Sequence, residues 1–304
     1  MRAAVIYRPV PPSHLGAITL ETLPKPVLTT PSQVILRVHA TSLTPSEQTW
    51  PEWHQTSDLS PRTSPSIPGL DVVGTVTEVG TSVSNIKIGD TVWGMLNPYE
   101  NGSMAEYVVT SSSYLSKVPN SLLKEPTTAA AVPLCALTAY QTLHTHALIK
   151  PTDTITILGA SGAVGTWLIL LAKLFGCTVI GSASPANHSR VKRIGADVVA
   201  SHSSIPALNI KTDILINVGA GTTHSQLAPY FPLIKRHGKF ITIQTDSNDL
   251  KSPDETVESK FFIVVPDGKA IGEVAGFIDA GKIDLGVLRE GVHERVFGLE
   301  AVRE

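Results

Sequence analysis

The chain has 304 residues, of which 42% are hydrophobic and 16% charged, so it is long enough for two domains and can bury a substantial core. Its formal net charge of −2 argues against nucleic acid or a membrane surface as a partner. The two cysteines, Cys135 and Cys177, form neither a disulfide framework nor a cysteine-rich zinc lobe. Together with an N-terminal apolar run too short for a signal peptide, they favour a cytoplasmic protein.

The chain up to about residue 125 carries short apolar runs separated by glycine turns, which is typical of β-structure. We predict strands at residues 33–38, 72–79 and 91–95. Residues 51–68 are rich in proline and serine and have Trp50 and Trp53 nearby. We expect a long surface loop there, of a kind that often carries function.

The pattern changes after Pro126. Residues 127–143 are rich in alanine, leucine and threonine and are predicted to be helical. Short apolar strands then alternate with helical segments, at 154–158, 178–180, 197–199, 213–217, 239–243 and 261–265. Strands separated by helices imply right-handed crossovers and a parallel sheet, hence a doubly wound α/β domain. The connection over residues 201–212 is short for a crossover helix.

A loop of small residues joins the first of these strands to a helix. It contains Gly159, Gly162 and Gly165, with Ala160 and Ser161 between the first two. Glycines let the chain turn off the strand, let the backbone approach a pyrophosphate and let the helix pack on the sheet. A plain strand–turn–helix corner would look similar, but the strands that follow at βαβ spacing favour a nucleotide site.

The choice of nucleotide depends on the end of the second strand. An NAD enzyme has an acidic residue there, about 20 residues beyond the loop, whereas this chain has Ser182 and no acid before Asp197. Hydroxyl, amide and basic side chains crowd the segment instead, including Ser184, Asn187, His188, Arg190, Lys192 and Arg193. They suit a 2′-phosphate, which predicts NADPH. A helix start with Ser184 as N-cap and Pro185 after it explains several of these residues without a ligand and is compatible with that prediction.

Four further segments, 67–76, 87–94, 102–109 and 130–140, occur with the glycine loop in an order that resembles one family over nearly the whole chain. The chain is similar to the zinc-independent medium-chain dehydrogenases, also called quinone oxidoreductase-like. The resemblance implies an α/β protein with a GroES-like β-domain and a Rossmann doubly wound parallel-sheet domain. It assigns residues 1–125 to the first domain, 126–282 to the second and 283–304 to a short return segment.

The resemblance also suggests roles for single residues. It implies that the nicotinamide lies in a cleft between the domains, with Thr138 at its reactive end. Ser161, Gly162, Ala163 and Val164 would hold the pyrophosphate, and Val218 and Gly219 would lie beside the nicotinamide ribose. The segment from Ser184 to Asn187, which would hold the adenosine phosphate, is similar to that of fungal trans-acting enoyl reductases.

Zinc-dependent relatives place metal ligands near positions that here hold Thr44, Gly69 and Leu70, so no zinc site is expected. The hydride acceptor must then be electron-poor, such as a quinone or an alkene conjugated to a carbonyl. Thr44, which replaces the Asn of many relatives, and Tyr99 are the candidate catalytic residues for protonation. Tyr99 also suits a plain turn aromatic.

The sequence therefore predicts an NADPH-dependent quinone or enone reductase with a small-molecule substrate. An enoyl reductase of a secondary-metabolite pathway is an alternative. A non-catalytic NADPH-binding or sensor protein is another, because relatives usually continue through a further helix and strand. The family suggests a homodimer.

Overall fold

The computed structural model describes residues 1–6, 18–44, 66–219, 223–244, 251–292 and 298–299. The chain forms two compact units, Met1–Leu137 with Val265–Glu304, and Thr138–Val264. These divisions differ from the predicted ones, because residues 126–137 and 265–282 belong to the first unit. A helix in the second of these segments packs closely on the first unit, since a Cβ at Gly268 would lie 2.5 Å from the carbonyl oxygen of Leu115.

The first unit is built mainly on antiparallel strands. A hairpin pairs β1 (Arg2–Ile6) with β2 (Ile18–Thr22). A five-stranded sheet has the order β6-β3-β4-β5-β7, with β3 Gln33–Ala40, β4 Asp71–Val79, β5 Thr91–Met95, β6 Tyr107–Ser111 and β7 Leu115–Lys117. Alternate residues of these strands, among them Val34, Leu36, Val72, Val76 and Val92, form its buried core. The three predicted strands are confirmed.

The predicted loop over residues 51–68 falls mostly outside the described residues. Its last three residues, Ser66, Ile67 and Pro68, are buried, so the prediction of a surface loop is wrong for them. The reason is pairing with the first strand: the amide of Ile6 donates to the carbonyl of Ser66 at 2.8 Å, and the amide of Ser66 donates back at 3.0 Å.

The single helix predicted over 127–143 is two helices, α1 (Pro126–Ala130) and α2 (Pro133–Tyr140), followed by a π-helical turn, Gln141–Ala147. Pro133 interrupts the helix because it lacks an amide hydrogen and disfavours a helical conformation in the residue before it. Later in the chain, α6 (Gly268–Asp279) and α7 (Leu285–Val292) belong to the first unit. Arg289 on α7 forms an ion pair with Glu125 at the start of α1.

The second unit contains a six-stranded parallel sheet of order β10-β9-β8-β11-β12-β13. Its strands are β8 Thr154–Leu158, β9 Thr178–Ser182, β10 Val198–Ala200, β11 Thr212–Asn217, β12 Ile234–Thr242 and β13 Glu258–Phe261. The helices are α3 Ala163–Leu174, α4 His188–Ile194 and α5 His224–Leu227. The parallel α/β prediction is confirmed, and the strand order reverses at β8.

One connection and one strand of this sheet can be compared with the sequence predictions. Between β10 and β11 the chain forms only two short 3-10 turns, His202–Ser204 and Pro206–Leu208, as the length of the segment indicated. The sixth strand is Glu258–Phe261 rather than 261–265, because its register with β12 ends where Phe261 pairs with Thr242. Among the described residues, no helix is long and apolar enough to cross a membrane.

Candidate functional site

The candidate site lies at the carboxyl ends of the central parallel strands. Leu158, the last residue of β8, is in register with Ser182 on one side and with Asn217 on the other. The chain order reverses between these neighbours, and the crevice outside such a reversal is where open α/β sheets bind ligands. The glycine loop begins at this position, directly after Leu158.

Gly159 and Gly165 are required by the packing of the loop itself. Gly159 has a φ of +87°, which favours glycine, and a Cβ there would lie 3.0 Å from the amide nitrogen of Gly219. A Cβ at Gly165 would lie 2.3 Å from the carbonyl oxygen of Gly159. Gly165 lets helix α3 pack closely on the loop, as the sequence predicted, and Gly159 lets the end of β11 approach it, which the sequence did not predict.

Gly162 has no such internal requirement. Its φ is −74°, which any residue adopts, and a Cβ there would meet the carbonyl oxygen of Gly159 at 3.4 Å, an ordinary contact. The residue is exposed at the start of α3. A side chain at this position would therefore project into the space in front of the helix, where a bound phosphate would lie.

The first turn of α3 suits a negatively charged group. Gly162 is the N-cap residue and supplies no side-chain hydrogen bond to the first amides, and the turn contains no acidic residue. Ala163 is exposed and Val164 is half-buried. The amides at the start of a helix lack intrahelical acceptors and carry the positive end of the helix dipole, so they attract an anion.

Ser182 ends β9, as expected, but its side chain is buried, with 3% of the residue exposed. Its hydroxyl lies 3.2 Å from Nδ1 of His202, which follows β10. The His202 ring also packs on Tyr230, and this partial burial lowers the histidine pKa. His202 was not predicted as a site residue, because only the pairing of β9 with β10 brings it beside Ser182.

The segment after β9 is more open. Ser184 is exposed and occupies the predicted N-cap position, but its hydroxyl accepts a hydrogen bond from the Asn187 side-chain amide at 3.0 Å and caps no backbone amide. A ring nitrogen of His188 lies 3.1 Å from the carbonyl oxygen of Ala183. These side chains lie directly after the second strand, and their role at the adenosine end of a nucleotide stays a prediction.

The basic residues of α4 point in different directions. Nη1 of Arg190 donates to the carbonyl of Ser161 in the glycine loop at 2.9 Å. Nζ of Lys192 instead donates to the carbonyl of Asp197. Asp197 directly precedes β10 and so lies at the amino end of that strand, away from the glycine loop at the carboxyl ends. Lys192 therefore does not belong to the cluster of bases that the sequence suggested for a phosphate.

Val218 and Gly219 lie beside the glycine loop. The amide of Val218 donates to the carbonyl of Leu158 at 3.0 Å, and the amide of Gly219 donates to Oδ1 of Asn217 at 3.2 Å. Asn217 is fully buried and fixes this turn, a role that its position at the end of a strand did not reveal. Both residues proposed for the nicotinamide ribose are thus held next to Gly159.

The candidate catalytic residues lie in the first unit. Thr44 is half-buried and ends the described segment 18–44. Tyr99 is half-buried in a turn where its amide donates to Oδ1 of Asn97 at 3.1 Å, and burial raises the pKa of its phenol. Asp71, which is buried, was not predicted as a site residue: its carboxylate accepts the hydroxyl of Ser42 at 2.5 Å and so anchors the segment that leads to Thr44.

Thr138 lies on α2 and is buried, with 3% exposed. Its main-chain carbonyl accepts the hydroxyl of Thr142 at 2.7 Å. Burial raises the pKa of Cys135 to about 12 and that of Cys177 to about 11, so both remain thiols, which bind metals poorly. Within the part of the chain that the structure describes, no three histidine, cysteine or acidic residues form a group suited to a metal ion.

An antiparallel β-unit combined with a nucleotide-binding sheet of this order defines a medium-chain dehydrogenase/reductase. Residues 30–120 match the alcohol dehydrogenase GroES-like domain. The chain is 33% identical to the chloroplast envelope quinone oxidoreductase homolog of Arabidopsis thaliana, over 77% of this chain and 73% of that protein. It is 28% identical to the mitochondrial NAD(P)H oxidoreductase RTN4IP1 of Danio rerio, over 92% of this chain and 81% of that protein.

Solved structures give the same result for the fold. The quinone oxidoreductase from Coxiella burnetii superposes with a TM-score of 0.78 at 24% identity, over 97% of each chain. The chain belongs to the quinone oxidoreductase-like medium-chain dehydrogenase/reductase family. The predicted combination of a GroES-like β-domain and a Rossmann domain is therefore confirmed, and the protein is an oxidoreductase.

Proposed function

We propose that this protein is an NADPH-dependent, zinc-independent oxidoreductase that transfers hydride to a quinone or an α,β-unsaturated carbonyl compound. The observation that carries the proposal is Gly162. It is the one glycine of the loop that neither its φ nor the packing explains, and it stands exposed at an uncapped helix start. A pyrophosphate over Gly162, Ala163 and Val164 supplies the missing reason for a glycine there.

The coenzyme preference rests on the end of β9. Ser182 stands where an NAD enzyme has an acidic residue, and the exposed Ser184, with Asn187 hydrogen-bonded to it, follows within a few residues. His202 adds an imidazole beside Ser182. Hydroxyl, amide and imidazole groups can donate hydrogen bonds to a 2′-phosphate, whereas a carboxylate would repel it. The name of the zebrafish relative includes NAD(P)H and so supports a nicotinamide coenzyme in general.

When bound, NADPH supplies the hydride, and the protein positions and shields it. Thr138, Val218 and Gly219 would hold the nicotinamide end, with Gly219 fixed by Asn217. Tyr99 keeps its proton because burial raises its pKa, so it can act as a hydrogen-bond or proton donor to the reduced product. Thr44 offers a hydroxyl for the same purpose.

The proposal of zinc independence rests on the positions of the usual zinc ligands. These positions hold Thr44, Gly69 and Leu70, none of which binds zinc well. A cytoplasmic location and a homodimer stay predictions; the relatives described above are named for mitochondria and for the chloroplast envelope. Fractionation of tagged protein would test the location.

The experiment that tests the function is NADPH oxidation by the purified protein with a panel of quinones, enones and enoyl thioesters, with NADH in parallel. Turnover of quinones or enones supports the proposal. Turnover of enoyl thioesters alone favours an enoyl reductase acting on carrier-bound chains. Tight NADPH binding without turnover of any acceptor favours a non-catalytic NADPH-binding protein, and no binding of either coenzyme contradicts the proposal altogether.

A further inference from the structure

The carboxylate of Asp71 joins two segments of the first unit that are far apart in the sequence. Asp71 is the first residue of β4 and is buried, with 2% of the residue exposed. Its Oδ2 accepts a hydrogen bond from the hydroxyl of Ser42 at 2.5 Å, and its Oδ1 accepts one from the amide of Leu134 at 2.7 Å. Burying a carboxylate is costly unless donors compensate it, so these two contacts stabilise the charge where it lies.

The Leu134 contact holds the carboxylate at the start of a helix. Leu134 is the second residue of α2, where amides lack an intrahelical acceptor and carry the positive end of the helix dipole. Asp71 therefore serves α2 as an acidic cap that comes from a strand. Because one oxygen is bound to the helix, the other is held in a fixed direction toward Ser42.

The segment that follows β3 is tied to Asp71 a second time. The hydroxyl of Thr41 donates to the main-chain carbonyl of Asp71 at 2.8 Å, and the buried hydroxyl of Ser103 lies 2.5 Å from the same carbonyl oxygen. Gly69 leaves room for Thr41, since a Cβ at Gly69 would lie 2.7 Å from the Thr41 hydroxyl oxygen. Two consecutive residues, Thr41 and Ser42, are thus fixed on Asp71.

Thr44 comes two residues after this anchor. Leu43, which lies between Ser42 and Thr44, has an apolar side chain and is 48% exposed, so it gives the segment little anchorage. We propose that Asp71 is a positioning residue that, through Ser42, holds the hydroxyl of Thr44 in place for the reaction. The inference rests on the proposed function, because it requires that Thr44 acts on the substrate. A displacement of about 1 Å can lower a rate about 100-fold, so loss of the anchor lowers kcat.

The test is a double-mutant cycle of Ser42→Ala and Thr44→Val, assayed with NADPH and the acceptor that the wild type reduces fastest. We expect each single variant to lower kcat at least fivefold, with NADPH affinity within twofold of wild type. The double variant should match Thr44→Val within twofold, because Ser42 then has no hydroxyl left to position. Ser113→Ala is the matched control: it removes an exposed hydroxyl of the same unit, bonded to Ser111, and should leave kcat within twofold.

Two further variants separate positioning from stability. Ser42→Thr keeps the hydroxyl donor, so its kcat should stay within threefold of wild type. Asp71→Asn has one acceptor oxygen instead of two and cannot accept both hydrogen bonds as they stand, so it should lower both kcat and Tm. The Ser42 variants decide the question, because they leave the contact between Asp71 and Leu134 in place.

Four outcomes overturn the inference. An unchanged kcat in Ser42→Ala would show that the anchor positions nothing, and an unchanged kcat in Thr44→Val would show that Thr44 takes no part. Losses that multiply in the double variant would mean that Ser42 acts independently of Thr44. A loss in Ser42→Thr as large as that in Ser42→Ala would exclude the hydroxyl as the anchor. A wild type that reduces no acceptor contradicts the proposed function itself, and it is recognised without any variant.

Discussion

The hydroxyl of Ser182 lies 3.2 Å from Nδ1 of His202, which joins the carboxyl ends of the neighbouring strands β9 and β10. The His202 ring packs on Tyr230 at a centroid distance of 4.9 Å, and the Tyr230 hydroxyl donates to the His202 carbonyl. This small cluster occupies the place where an NAD enzyme has a carboxylate for the ribose hydroxyls. The coenzyme preference that we propose and the pH dependence of stability can therefore be tested at these two residues.

The first prediction concerns Ser182→Asp. We expect the wild type to prefer NADPH and the variant to shift the preference toward NADH by at least tenfold. A carboxylate there accepts ribose hydroxyls but repels a 2′-phosphate, at a cost of about one to several kcal/mol. The measurement is kcat/KM or affinity for both coenzymes at fixed salt, because salt screens the repulsion.

The design of that experiment follows from His202. In the wild type, burial lowers the His202 pKa from 6.5, but a carboxylate at position 182 favours the protonated imidazole, so both proteins are measured at pH 8 and at pH 6.5. Ser182→Asn is the control, since it adds similar bulk without charge. If the wild type already favours NADH, or if the aspartate variant keeps its NADPH preference, Ser182 does not lie at the ribose.

The second prediction concerns acid stability. Because burial lowers the His202 pKa below 6.5, the unfolded chain binds a proton there more readily than the folded one. This group's contribution is fully present above about pH 6.5 and is lost as pH falls through that value toward the lowered pKa. We therefore expect the Tm of His202→Asn to fall less than that of the wild type between pH 7.5 and pH 5.5. Thermal unfolding at the two pH values measures this difference.

Some acid sensitivity should remain in that variant. Burial also lowers the pKa of His39 and of His146, which are unchanged by the substitution. A pH dependence of Tm in His202→Asn identical to that of wild type would show that His202 titrates alike in the folded and unfolded states.

The features that the sequence predicts well are those that local residues determine. The strand Thr154–Leu158 has the predicted bounds because an apolar run meets a glycine that requires a positive φ. The parallel sheet follows from alternating strands and helices. The sixth strand is misplaced because residues 261–265 are all apolar, whereas the actual strand, Glu258–Phe261, is mostly polar and is selected only by pairing with Lys239–Thr242. No local signal contains that register.

The residues of the candidate site also fall into two groups, those that local sequence predicts and those that only the fold brings together. The glycine loop and Ser182 follow from spacing along one βαβ unit, and the structure has them adjacent at the strand ends. The sequence did not predict His202 or Asp71 as site residues. His202 lies beside Ser182 only because β9 and β10 pair, and Asp71 contacts Ser42, which is distant along the chain. Lys192 and Arg190 look alike in sequence, and only the direction of each side chain separates them.

The third prediction concerns zinc. We expect purified protein to contain no stoichiometric zinc by elemental analysis, and chelators to leave its activity unchanged. Cys135 and Cys177 remain thiols because burial raises the pKa of each, and Thr44, Gly69 and Leu70 replace the usual ligands. Near-equimolar zinc whose removal abolishes activity would contradict the zinc-independent proposal.

The fourth prediction concerns the stability of the loop. A Cβ at Gly165 would lie 2.3 Å from the carbonyl oxygen of Gly159, which is backbone and cannot move aside easily. We expect Gly165→Ala to lower the free energy of unfolding by about 1–3 kcal/mol, the range typical of overpacking. Denaturant unfolding measures it. Gly276→Ala is the control, because a Cβ at that helical glycine meets nothing within 4 Å; equal stability of the two variants would show that the loop tolerates the methyl group.

The last prediction separates binding from folding at Gly162. An aspartate at this N-cap position can accept hydrogen bonds from the first amides of α3, which stabilises a helix by a few tenths of a kcal/mol relative to glycine. The same carboxylate occupies the amides that a pyrophosphate would use and repels its charge. We therefore expect Gly162→Asp to keep or slightly raise the Tm while weakening NADPH binding more than tenfold, above about 1.4 kcal/mol. NADH should weaken by the same factor, because both coenzymes carry the pyrophosphate. Parallel thermal unfolding and coenzyme titration measure the two effects. An unchanged affinity in the folded variant would remove the loop from the coenzyme site, and a lowered Tm with unchanged affinity would show that Gly162 serves only the fold.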